Sequence, residues 1–341
     1  MSDPEITAPW LAKVLKTHVQ AVQVTPMGGE TGFSGALFRV DPVPASLGAM
    51  VVKGPSPIKQ LRDVMMQSGF YDREVQFYRY LAKAADVPTP QLLGVDQLPG
   101  MPPILVLSHI DDARPGDQAR GLTPEAATPI VRLLARLHGR LANHPAAADV
   151  PGMAQGADIA AAYAACWPGF QARFGEYLPK WLAEIAPDLG PQMAKLQGEL
   201  ARAPVTVLHG DMRLDNVLFR RDGSPVFLDW QTIVRGRAGY DLAYLSAGNF
   251  LHHDQGAIDC LLRAYHAELS EQGWAAYDWQ DLRADYRRGI GFLWARTVTA
   301  GAQFPFAQGA AHERFRLALE RWCDAAECCG IVDDLRRATA V

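Results

Sequence analysis

Within HGDMRLDNVLF (209–219) stand His209, Asp211, Arg213, Asp215 and Asn216, and a second apolar run downstream, PVFLD (225–229), ends on Asp229. An aspartate carboxylate and an asparagine amide are hard oxygen donors. They suit Mg2+, which keeps its other positions for waters and phosphate oxygens. A second carboxylate that is not pinned to the ion can accept a proton from a hydroxyl. Together these are the parts needed to move a phosphoryl group from a nucleotide to an alcohol, a reaction that depends on positioning and charge neutralisation. Two other readings use the same residues. Asp and Asn are common turn formers, and His209, Asp211 and Asp229 could ligate the metal of a hydrolase.

The flanking pattern says how these groups would meet. VTVL (205–208) reads as a strand running into His209, and NVLF (216–219) and PVFLD (225–229) read as two more. The Asp222-Gly223 pair between them suits a tight reversal. Pairing of the two runs as a hairpin puts Asn216 at the start of one strand and Asp229 at the end of the other. The two side chains then lie together at the open end, with Asp211 in the loop just before.

The spacing resembles the H-R-D-x-x-x-x-N motif of protein kinases, which is followed by a metal-binding Asp. Here Gly210 replaces the Arg, Asp229-Trp230-Gln231 replaces D-F-G, and no A-P-E segment follows. With HGDMRLDNVLF followed by FLDWQ, the chain resembles the aminoglycoside phosphotransferase / choline kinase-like family, and most closely its ecdysteroid-kinase-like branch. The likeness spans roughly residues 20–270 and is specific in 205–245. It implies an α+β, bilobal protein-kinase-like fold: a small antiparallel-sheet N-lobe (1–110) and a larger helical C-lobe (111–341) with a catalytic hairpin. It implies Asp211 as catalytic base, Asn216 and Asp229 as metal ligands, His209 as a brace of the loop and Asp241, in GYDLAYL, as its anchor. Arg213 is a local ion-pair partner or a substrate contact. The implied cofactors are ATP and Mg2+, and the implied partner is a small molecule bearing a hydroxyl. A pseudokinase scaffold that binds nucleotide without turnover is the alternative.

Upstream elements must supply the nucleotide side. MGGETGFSG (27–35) lies between two alternating runs, QAVQV (20–24) and ALFRV (36–40). Its Gly29 and Gly32 let backbone close on phosphates and Ser34 adds a hydroxyl donor, although a hairpin turn also uses glycine. Lys53 ends the apolar strand AMVVK (49–53), where a solvated lysine is a poor default. It can reach phosphates with Glu74 as its ion-pair partner, or snorkel to water. The run PILVLSHI (103–110) would be the hinge, with Ser108, His109 and Ile110 beside the base.

DREVQFYRYLA (72–82) predicts a helix with Val75, Tyr78 and Leu81 on one face, packed alone on the sheet. Residues 124–143 predict another that starts near Thr128. Tyr163, Trp167, Phe170, Phe174, Tyr177 and Trp181 recur at helical steps, as a core stripe or as an acceptor wall, with Pro168 and Gly169 expected to break the run into a bent helix pair. Arg287, Arg288 and Arg296 are surface charges or a wall for an anionic acceptor such as a hydroxy acid.

The 341 residues carry a net charge of -4 with 21% charged residues, which argues against a broad nucleic-acid-binding face. No basic leader and no run of about 18 apolar residues is present, so a soluble cytoplasmic protein away from membranes is expected. The five cysteines lack zinc spacing and read as buried thiols.

Overall fold

In the computed structural model, residues 6–27, 35–155, 158–274, 277–303 and 309–339 are described. The chain starts with helix α1 (Ala8–Leu15), whose N-terminal amide at Trp10 is capped by the Thr7 hydroxyl. Five strands follow: β1 (Ala21–Met27), β2 (Gly35–Val43), β3 (Met50–Pro55), β4 (Leu92–Asp96) and β5 (Ile104–Ser108). They form one antiparallel sheet in the order β1-β2-β3-β5-β4.

Side chains alternate across a sheet, and here the alternation separates packing from chemistry. Val40, Met50, Val52 and Val106 face α1 with Leu11 in one apolar cluster. Leu105 and Leu107 belong to the main core on the other face. Lys53 pairs with Leu105 in the β3–β5 register, one residue out of phase with Val52. It therefore emerges beneath the helices rather than beneath α1.

Those helices are α2 (Lys59–Gln67) and α3 (Phe70–Gln76), the latter prolonged by a wider π turn over Phe77–Leu81 and a last turn, α4 (Ala82–Ala85). Val75, Tyr78 and Leu81 are buried, as the periodicity predicts. The expectation of a single helix on the sheet is corrected: α1 covers one face, and α2 precedes α3. The segment forming α2 exposes Val64 and Met66, so its apolar residues do not trace a clean buried stripe.

Beyond Ser108 the chain leaves the sheet. Strand β6 (Ala113–Pro115) is followed by α5 (Thr128–Leu141), with Pro129 tolerated in the first turn and Ile130, Leu133, Leu134, Leu137 and Leu141 buried. Helices α6 (Ile159–Phe174), α7 (Lys180–Ile185) and α8 (Gly190–Leu200) come next. Pro168 lies inside α6 without ending it, contrary to the expected break. Tyr163, Trp167, Phe170 and Phe174 are all buried on one side, and that packing outweighs the backbone hydrogen bond the proline removes.

Four short strands then frame a loop: β7 (Thr206–Leu208), β8 (Val217–Arg220), β9 (Pro225–Phe227) and β10 (Val234–Gly236). The expected β8–β9 hairpin is present and is widened by β6 on its other edge, while β7 pairs with β10. Helices α9 (Gly239–Asn249), α10 (Gln255–Glu271), α11 (Trp279–Gln303), α12 (Gly309–Cys328) and α13 (Ile331–Thr339) complete the chain. Among the described residues no helix is long and apolar enough to cross a membrane. All five cysteines are free, and the expectation of buried thiols is corrected: Cys323 is buried, Cys166, Cys328 and Cys329 are half-buried and Cys260 is exposed.

Gly239 lets the start of α9 press on α11: a Cβ there would lie 2.6 Å from the Tyr286 amide and 2.7 Å from the Asp285 carbonyl carbon. Neither is a flexible side-chain tip. Gly239→Ala is expected to cost about 1–3 kcal/mol or more, seen as a lower thermal midpoint. An unchanged midpoint would show that the two helices separate without penalty.

Candidate active site

The loop after β7 is held by one buried carboxylate. Asp241, in the first turn of α9, accepts the His209 amide at 2.7 Å and the Gly210 amide at 2.9 Å. Its Oδ2 also lies 3.1 Å from His138 Nε2, whose Nδ1 is 2.7 Å from the Tyr265 hydroxyl. Asp241 and His138 are fully buried. Gly210 sits at φ +80°, and a Cβ there would be 2.3 Å from the Thr232 carbonyl oxygen. That close approach explains why glycine takes the place of the arginine of the protein-kinase motif. The His209 ring is spent on structure: Nε2 donates to the Leu228 carbonyl at 2.8 Å and Nδ1 receives the Asp211 amide at 3.3 Å. With both nitrogens so engaged, His209 does not fit as the metal ligand of the hydrolase reading.

Asp211 follows with its carboxylate at the mouth of the loop. Arg213 grips it through Nε to Oδ1 and Nη2 to Oδ2, both 3.1 Å. Asn216 Nδ2 donates to the Asp211 carbonyl at 2.9 Å and to Oδ2 at 3.0 Å. Burial pushes the Asp211 carboxyl up; Arg213, Arg296 and a hydrogen bond from Tyr244 outweigh it and hold it at about 2. Further support comes from Asn249, fully buried at the end of α9, which accepts the Leu214 amide and donates to the Met212 carbonyl. Sequence reading did not single out His138, Tyr244, Thr232 or Asn249. A polar side chain on an otherwise apolar helical face was the available signal for His138, and Asn249 lies on the same helix as Asp241.

The hairpin delivers Asp229. The Leu228 amide bonds to the Asn216 carbonyl at 2.9 Å, and Asp229 then turns out in the left-handed region, φ 60°. Its Oδ1 accepts Lys53 Nζ at 2.9 Å, while the same ammonium donates to Glu74 at 2.8 Å. Burial alone would push the Lys53 ammonium down; the charges of Asp229 and Glu74 outweigh it and hold it up. The sheet, α3 and the hairpin thus meet at one cation.

At the hinge, Ser108 bonds to Gln91 through both its amide and its hydroxyl, and the His109 amide bonds to the Ala49 carbonyl. The His109 ring lies against Asp111 and Arg39. For the Ile110 amide no partner is found among the described residues. Gly29, Gly32 and Ser34 lie outside the described residues.

A cavity of about 310 Å3 opens on the loop, with Asp211, Asp229, Arg213 and Tyr244 on its wall. Its remaining walls come from α2, α11 and α12. None of the six aromatic residues from 163 to 181 lines it, so the acceptor-wall reading of that stripe is corrected to core. Of the three arginines read as a wall, Arg296 lines the cavity, whereas Arg287 bonds Asp334 and Arg288 bonds Glu199 and Asp285.

The donor set suits an ion that keeps most of its shell for phosphate and water. Asn216 spends its amide nitrogen on Asp211, which leaves Oδ1 without a partner among the described residues, and Asp229 supplies a carboxylate. Among the described residues no group of three or more His, Cys, Asp and Glu side chains could hold a metal ion. One carboxylate plus one amide is a Mg2+-phosphate arrangement, not an all-protein cage.

The low pKa of Asp211 has a stability consequence. Its folded value is about 2, against about 3.9 for an ordinary aspartate. A carboxyl depressed in the folded state adds stability above its unfolded pKa and loses it as pH falls through the folded one. The contribution, roughly 2 kcal/mol, is therefore complete above about pH 5 and fades between about pH 4 and pH 2. Denaturant unfolding of wild type and Asp211→Asn should show a stability gap that narrows toward acid; a gap independent of pH would contradict the Arg213 pairing.

No curated protein matches the chain. Solved structures do. The choline kinase of Cryptosporidium parvum Iowa II aligns over 92% of this chain and 90% of its own at 12% identity, with a TM-score of 0.56. Spectinomycin phosphotransferase APH(9)-Ia, solved with ADP and spectinomycin, aligns over 97% and 99% at 12% identity, with a TM-score of 0.53. The macrolide 2'-phosphotransferase MphH of Brachybacterium faecium aligns over 91% and 96% at 18% identity, with a TM-score of 0.51. These likenesses establish the α+β protein-kinase-like fold. The phosphotransferase enzyme family model matches residues 50–287, and the chain belongs to that family of small-molecule kinases.

Proposed function

We propose that the protein moves the γ-phosphoryl group of ATP, with Mg2+, to a hydroxyl of a small molecule. The observation that carries this reading is the convergence of three groups on one cleft. Lys53 is bonded at once to Glu74 and Asp229, and Asp229 shares a cavity wall with Asp211. A buried ammonium bonded to one carboxylate of the cavity wall, with a second, ionised carboxylate on that wall, matches the needs of a polyphosphate donor and a hydroxyl acceptor.

In this reading residues 1–110 hold the nucleotide, with the base beside Ile110 and the triphosphate beside Lys53. Residues 111–341 carry the chemistry and the acceptor. Asn216 and Asp229 would hold the ion, which would neutralise charge on the transferring group. Asp211 orients the acceptor hydroxyl and takes its proton as the oxygen–phosphorus bond forms and the bond from the γ-phosphorus to the bridging oxygen breaks. Arg213 keeps Asp211 ionised. His209 and Asp241 fix the loop and touch no reactant.

Asp211→Asn should lower turnover by about 10²–10⁴-fold, the range of a general base, with nucleotide affinity nearly unchanged. Asp229→Ala should weaken binding of Mg2+-nucleotide measured by calorimetry. An unaltered affinity in the second variant would remove Asp229 from the metal site, and unaltered turnover in the first would remove the base.

A further inference from the structure

Helix α12 presents one face to the cavity: Ala311, Arg314, Phe315, Ala318, Leu319 and Trp322. The spacing is that of a single helical stripe, and Arg314 is the one charge on it. Its Nη2 is buried and has no hydrogen-bond partner among the described residues. The residue as a whole is half-buried on the cavity wall, and a partly desolvated guanidinium with no bonded acid calls for a partner. The acids nearest in sequence do not provide one. Arg316, on the other side of the helix, engages Glu313 and Glu320.

The cavity's carboxylates are committed to other partners. Asp211 is held by Arg213 and Asn216, Asp229 by Lys53, and Asp215 by the Gln118 amide. Arg296, stacked 5.5 Å from the Tyr244 ring centre, adds a third cation to the wall beside Arg213 and Arg314. The rest of the lining is largely apolar, with Leu61, Val64 and Ala300 among it. With its three aspartates committed, the wall offers a polycationic acceptor little negative charge.

We infer that the acceptor is an amphipathic hydroxy compound ending in an oxyanion, a carboxylate or a phosphate, which Arg314 pairs with while the apolar body lies along α12. The inference rests on the phosphotransferase reading of the same site, and a binding measurement separates the two. Calorimetry on the full chain with Mg2+ and adenylyl imidodiphosphate would use four probes of one skeleton: ω-hydroxyoctanoate, its primary amide, aminooctanol and hydroxyoctyl phosphate. Wild type should bind one or both anions at least about tenfold more tightly than the amide, in line with a hydrogen-bonded charge, and aminooctanol most weakly. Arg314→Gln should erase that preference while leaving amide affinity within about twofold, and Arg314→Lys should restore part of it. The ranking of the two anions assigns carboxylate or phosphate. Equal or tighter binding of aminooctanol, no binding of either anion to wild type, or an equal loss for acid and amide in Arg314→Gln would each overturn the inference. Turnover is not read in this experiment, so a failure of the kinase reading would show separately, as absent ADP release with anions that bind selectively.

Discussion

The structure turns on a buried ammonium from the sheet that two other elements must neutralise. Lys53 is 7% exposed, and moving an ammonium out of water costs several kcal/mol unless it is paired. Glu74 from α3 and Asp229 from the hairpin do the pairing. Neither contact is local: Glu74 lies 21 residues from Lys53 and Asp229 lies 176. The desolvation penalty therefore acts as a constraint on geometry. The sheet, the helix over it and the distant hairpin are held in one arrangement because any other strands a charge. The same arrangement leaves a cation flanked by acids at the edge of a cavity, which is how a site for Mg2+-polyphosphate would be built.

A second constraint aligns the catalytic loop with this cluster. Asp241 accepts two consecutive backbone amides and is itself backed by His138 and Tyr265. Because Asp241 belongs to the first turn of α9, the position of the loop is inherited from the packing of α9 on α11. That packing is close enough to require glycine at 239. A chain of rigid contacts thus runs from the helical core to the backbone of His209 and Gly210, and from there to the carboxylate of Asp211. Preorganisation of this kind is what phosphoryl transfer needs, since the reaction gains little from covalent participation.

How much of this was legible in the sequence depended on whether the signal was local. The hairpin was, because an Asp-Gly reversal between two apolar runs specifies both the pairing and the ends that meet. Lys53 was, because a lysine closing an apolar strand is anomalous. Helix α6 was legible as a stripe, yet Pro168 misled, since local backbone preference says nothing of the aromatic packing that overrides it. The second sheet-covering helix, β6 and β10 escaped notice because they are short and are stabilised by partners far along the chain. His138 and Asn249 escaped for the same reason: each is an ordinary residue until the fold buries it against a backbone group.

Arg314 illustrates the limit most clearly. In the sequence it stands in HERFRLALER, among alternating charges that read as a solvated helix face. Only the fold shows that its neighbour Arg316 takes the acids and faces outward, while Arg314 turns inward with the apolar stripe. The two arginines differ by two positions, about 200° around a helix, and that rotation separates an arginine bonded to two glutamates from one that meets the cavity with no bonded acid among the described residues. In the proposed reading the loop and hairpin handle the phosphates, and both lie within the family match, which ends at residue 287. Helix α12 lies beyond it, so the charge that Arg314 brings to the cavity is set by a part of this chain outside that match.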